Sequence, residues 1–142
     1  QQGLSPFPDE KILVQVDTAA QGYSYKPDIR LLNKFDVFTE IRVTPLPVLL
    51  SQKIFTAVNR GRPKGRDFYD ITVLAGRTKP EYGFLAEKMA VHTPEELKRD
   101  LSSRIADYDF ASMAKDVAPF LINQQEIRRV ERFREFWEQL EL

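Results

Sequence analysis

The spacing of apolar positions changes period along the chain. Lys11-Ile12-Leu13-Val14-Gln15-Val16-Asp17 is a short β-branched run that predicts a strand. From Phe35 to Val43, the residues Phe35, Val37, Thr39, Ile41 and Val43 alternate with Asp36, Phe38, Glu40 and Arg42, which predicts a second strand with one apolar face. Before these runs, residues 1–10 hold Gly3, Pro6 and Pro8 and read as an extended arm. Residues 21–32, with Gly22 and Pro27, read as a loop with little structure of its own.

Beyond Thr44 the period lengthens to that of a helix. Thr44-Pro45-Leu46-Pro47 is a helix entry, with Thr44 able to cap and proline tolerated in the first turn. Leu50, Ile54, Ala57 and Val58 then fall on one stripe. Helices are expected over 47–60, 66–76, 81–90 and 94–106, followed by a pair over 110–120 and 124–142. Thr93-Pro94-Glu95-Glu96 has the form of a capping box, and Leu97, Leu101 and Ile105 make the buried stripe behind it. Ile127, Val130, Phe133, Phe136, Trp137 and Leu140 give the last helix a broad apolar side, which predicts core rather than a platform for bases. The fold class that follows is α+β: a small sheet and arm over residues 1–44, then a helical domain over 45–142.

The chemistry concentrates between Leu50 and Leu74. Lys53 lies on the same stripe as Leu50 and Ala57, where solubility alone would not place a lysine. Gly61, Pro63 and Gly65 mark a turn, and the helix that restarts carries Asp67 and Asp70 three residues apart on one face. An amine and two carboxylates are thus aimed at a common region, with Arg60, Arg62, Lys64 and Arg66 around the turn. Two readings fit that pattern. One is a helical hairpin closed by ion pairs; the other is a site that handles phosphate.

Composition narrows the alternatives. The 21 basic and 21 acidic side chains cancel, so attraction to a polyanion has to come from a local patch. There is no cysteine, which excludes disulfides, thiolate metal sites and cysteine nucleophiles and fits a cytoplasmic location. No run is long enough to span a membrane. His92 is the single histidine, so neither a histidine zinc site nor a serine–histidine pair is supported. The chain opens on Gln1-Gln2, which reads as a fragment.

Lys53, followed by Arg60, Arg62 and the run Arg66-Asp67-Phe68-Tyr69-Asp70, resembles the lysine helix and Arg-Asp-x-x-Asp segment of AbiEii-type nucleotidyltransferases. These are toxins of type IV toxin–antitoxin and abortive-infection systems. The resemblance extends from Ile12 to the C-terminus and includes Val117-Ala118-Pro119-Phe120-Leu121. It implies transfer of a nucleotidyl group from a nucleoside triphosphate, with Mg²⁺, to tRNA, another RNA or protein, and an antitoxin as partner. It further implies that Lys53 contacts phosphate and that Asp67 orients it or takes part in proton transfer. Asp70 would position Lys53 or Arg66, and Arg60, Arg62, Lys64 and Arg66 would meet nucleotide or RNA phosphates.

The chain departs from the family in one respect. The Gly-Ser turn and Asp-x-Asp strand that bind metal in the family have no counterpart before Ile12. Asp17, at the end of its strand, is a candidate metal carboxylate in such a fold and equally a turn former; Glu40 is a second candidate and equally a solvated strand residue. The one Asp-x-Asp, Asp107-Tyr108-Asp109, falls between two helices, where Asp109 is expected to cap the second. The chain alone is therefore expected to be inactive. The other functional class open to it is a helical module that binds an antitoxin or RNA without chemistry.

Overall fold

A hairpin leads into seven helices in the computed structural model, which describes residues 22–142. The strand expected over 11–17, and with it Asp17, lies outside the described residues. Strands β1 (Asp28–Lys34) and β2 (Val37–Val43) pair antiparallel, with Asp28 opposite Val43 and Lys34 opposite Val37. Residues 28–32 are thus strand, where a loop was expected. Ile29 and Leu31 alternate but Leu32 breaks the pattern, so the segment takes its conformation from its partner more than from its own period. Phe35 is not in the strand: with φ 53° it occupies the turn, a conformation costing a bulky residue roughly 1–2 kcal/mol. The register puts Ile29, Leu31 and Phe38 on one face beside Glu40 and Arg42, and all five are exposed.

The helices are α1 (Leu46–Asn59), α2 (Gly65–Ala75), α3 (Tyr82–Met89), α4 (Pro94–Arg104), α5 (Phe110–Val117), α6 (Arg128–Glu131) and α7 (Phe133–Gln139). Single 3₁₀ turns at Ala118–Phe120 and Gln124–Ile127 separate α5 from α6. Two local expectations fail. Thr44 does not cap α1; Pro45 holds that position, and the Thr44 hydroxyl pairs with the Tyr25 hydroxyl at 2.8 Å. The continuous helix expected over 124–142 is broken by its opening 3₁₀ turn and again at Arg132, where φ −104° and ψ 25° leave the helical region. Val130, Phe133 and Trp137 keep the three- and four-residue steps of one helix face across the break, and all three are buried in the core.

Local signals elsewhere hold. The Thr93 hydroxyl accepts from Glu96 N–H at 3.2 Å, while the Glu96 carboxylate reaches back to the His92 N–H at 2.7 Å, one residue beyond the usual reciprocal bond. The Asp109 carboxylate caps α5 by accepting from Ser112 N–H at 3.0 Å.

Helix α2 is central, packing on α1, α5, α6 and α7. Its Phe68 ring is fully buried and meets Phe110 at 5.0 Å and Phe133 at 4.8 Å in edge-on geometry. Phe133 in turn stacks on Trp137. Complete burial of such a side chain contributes about 1.5–3 kcal/mol. On the opposite side, buried Ser51 of α1 donates to the Glu81 carbonyl at 3.1 Å and accepts from the Glu81 N–H at 2.8 Å, fastening α3 to α1. Arg134 closes the far end: its Nη2 donates to the carbonyls of Ala106 (2.7 Å) and Tyr108 (2.6 Å), and the guanidinium lies over the Phe110 ring.

Candidate functional site

Helices α1 and α2 are joined by five residues, a length that returns α2 antiparallel beside α1. On α1, Leu49, Gln52, Lys53 and Thr56 recur at three- and four-residue steps and make one face, which Arg60 extends from the C-cap. On α2, the period that sends Phe68, Ile71 and Leu74 inward turns Asp67 and Asp70 toward that face. The result is an open cleft of about 400 Å³ whose walls include Gln52, Lys53, Thr56, Arg60, Arg66 and Asp67. That size is in the range of small-molecule sites.

The charges in it converge. Lys53 Nζ stands 2.6 Å from Asp70 Oδ2 and 4.0 Å from Asp67 Oδ1, and Arg60 Nη1 stands 3.4 Å from Asp67 Oδ2. Asp67 is only 3% exposed, whereas Lys53 and Arg60 keep about a third of their surface in solvent. Asp67 also occupies the first turn of α2, where the positive end of the helix dipole stabilises a carboxylate by about 0.3–1 kcal/mol. Its Oδ2 is nonetheless buried without a hydrogen-bond donor, because Arg60 comes close but misaligned. The cleft thus holds two cations that reach solvent and one buried acceptor with an unmet demand.

The remaining sequence candidates are distributed differently. Arg66 borders the cleft but is exposed. Arg62 and Lys64 do not converge with Lys53; they line a separate groove against Val117 and Phe120. Glu40 is exposed on the hairpin. Gln52 and Thr56 complete the cleft; neither is charged, and the signal for them is helical spacing, Thr56 three residues after Lys53 and four before Arg60, with Gln52 four before Thr56. Next to Asp70, the Tyr69 hydroxyl donates to Glu126, and that bond together with burial pushes its phenol above the ordinary range.

A divalent ion requires several oxygen ligands. Among the described residues, no group of three or more carboxylates or histidines could hold one, and Asp70 is paired with Lys53. The described residues do not fit a metal centre.

A family model described as nucleotidyl transferase AbiEii toxin, type IV TA system, matches residues 7–139. No curated protein and no solved structure matches.

Proposed function

The chain belongs to the AbiEii family of nucleotidyl transferase toxins of type IV toxin–antitoxin systems, and on that premise we propose that the cleft between α1 and α2 binds the phosphates of a nucleoside triphosphate. Family membership brings with it nucleotide and metal use and an antitoxin partner. Mg²⁺ as the ion, and tRNA, other RNA or protein as the acceptor, are the finer reading.

In nucleotidyl transfer an acceptor oxygen bonds to the α-phosphorus, the bond to the bridging oxygen breaks and pyrophosphate leaves. Catalysis there is chiefly positioning and charge neutralisation. Lys53 is the cation proposed for the phosphates, with Arg60 beside it. Asp70, 2.6 Å away, holds the ammonium in place. Asp67 orients the lysine or accepts the acceptor's proton. The observation that carries this reading is the convergence of Lys53 and Arg60, both still reaching solvent, on one cleft; the buried Asp67 oxygen without a donor is the acceptor left for the proton of an attacking hydroxyl.

The single Asp-x-Asp is used as a helix cap through Asp109. We therefore propose that the 142-residue chain transfers nothing alone, while the full-length protein does. Incubating each with Mg²⁺ and labelled nucleoside triphosphates tests this, and robust transfer by the chain alone refutes it. In the full-length protein, Lys53→Met and Asp67→Asn should abolish transfer while leaving the circular-dichroism spectrum intact. Unchanged transfer in both favours the second reading, a non-catalytic module that docks an antitoxin or RNA. The observation behind that second reading is the separate groove that holds Arg62 and Lys64.

A further inference from the structure

Phe120 is 84% exposed and Ile122 fully so, on the turn that follows α5. A ring in that position loses the burial that usually justifies an aromatic. It stands on a ridge between two grooves. One, of about 430 Å³, carries Arg62, Lys64 and Arg66. The other, of about 560 Å³, is mostly apolar, with Tyr69, Leu121 and Ile122 in its walls. Arg66 reaches both, and also the cleft of Lys53 and Asp67. Among the described residues, Arg62, Lys64 and Arg66 form no ion pair. In a chain whose charges sum to zero, three cations against the single carboxylate of Asp116, beside a bare ring, make a local patch of specific composition.

We infer that this ridge is a stacking platform for the end of a single-stranded nucleic acid, with a base on Phe120 in the apolar groove and the adjoining phosphates along Arg62, Lys64 and Arg66. Charge decides between this occupant and an acidic peptide. Asp70 and Glu126 rim the apolar groove and repel carboxylates there, whereas a base is neutral. Asp116 lies on the basic side, outnumbered by the three cations. A duplex hides its base faces, so only an unpaired strand offers a ring to Phe120. Arg66 then links the strand to the phosphate cleft, which places this site as the acceptor's; that role, but not the binding itself, rests on the nucleotidyl-transfer reading.

The test is fluorescence anisotropy of a short labelled single-stranded RNA with the 142-residue chain, without nucleotide. Phe120→Ala should weaken binding about five- to tenfold, the lower part of the range for loss of one base–aromatic stack. Phe120→Trp should restore binding and show quenched indole emission on addition of RNA. Phe120→Ala should leave the dependence on salt unchanged, while the double variant Arg62→Ala/Lys64→Ala should flatten it. Phe120 is exposed, so both substitutions should leave the thermal melt in place, which is checked first. Equal binding by parent and Phe120→Ala overturns the proposal, as does equal binding of duplex and single strand. Equal loss of nucleoside triphosphate binding in Phe120→Ala also overturns it, by assigning the groove to the donor's base. Lys53→Met separates the two readings: if transfer by the full-length protein survives it, the catalytic assignment fails while the RNA result stands.

Discussion

Replacing Gly65 by alanine should weaken the fold even though alanine is the better helix former. A Cβ built on Gly65 would lie 2.2 Å from the Met113 carbonyl oxygen and 2.8 Å from Val117 Cγ2. Carbon–oxygen contacts of the weakest attractive kind sit at about 3.3–3.6 Å, so the first turn of α2 has to retreat from α5 by about 1 Å. Overpacking of this sort costs about 1–3 kcal/mol, and the obstacle here is backbone, which yields less than a side-chain tip. The gain in helix propensity recovers at most about 1 kcal/mol. A net loss near 2 kcal/mol lowers the melting temperature by about 5–10 °C in a chain of this size. Thermal melts followed at 222 nm read this directly. Gly61→Ala is the control: nothing lies within 4 Å of its Cβ, so it should be neutral or slightly stabilising. A Gly65→Ala melt at or above that of the parent would falsify the close approach of α2 to α5, and with it the placement of Asp67 at the cleft floor.

Three further outcomes follow from named contacts. Ser51→Ala should cost about 0.5–1.5 kcal/mol, because it removes two hydrogen bonds at a fully buried position while the Glu81 N–H keeps the Pro47 carbonyl and the Glu81 carbonyl keeps the Leu85 N–H; urea unfolding measures it, and a midpoint shift within error refutes it. The Glu96 carboxyl is held below its ordinary range, chiefly by the His92 N–H. Its folded value is depressed, so its contribution is present above the unfolded carboxylate range and is lost as pH falls through the folded value. Melts of parent and Glu96→Gln should therefore differ at neutral pH and converge in acid. Arg134→Lys keeps the charge but loses the flat guanidinium that lies over Phe110 while its Nη2 donates to the carbonyls of Ala106 and Tyr108, so it should unfold at lower denaturant than the parent; indistinguishable midpoints would mean the ammonium serves the carbonyls equally well.

What could be read from the sequence was local in origin. The caps at Thr93 and Asp109 were visible because each satisfies helix N–H groups within three residues of itself. The meeting of Lys53 with Asp67 and Asp70 was visible because a short turn and two helical periods leave little freedom for where those side chains go. Features made between distant segments were not. Strand β1 exists through its pairing with β2, and its broken alternation carried no independent signal. The interruption at Arg132 carries no local signal: the apolar steps from Val130 through Phe133 to Trp137 are those of an unbroken helix. Phe120 falls at the end of the expected 110–120 helix; Pro119 beside it is a local signal that the helix ends earlier, whereas the exposure of the ring depends on how the following turn docks. The separation of Arg62 and Lys64 from Lys53 depended on where α5 docks.

Helix α2 bears the site's acids on one side and Phe68 on the other. Opening the middle of this helix dismantles the aromatic cluster, so its central amides should be among the slowest to exchange with deuterium. The acids then sit on the stiff part of the molecule, and movement that admits a ligand is expected from the loop of residues 60–64 or from side-chain rotation.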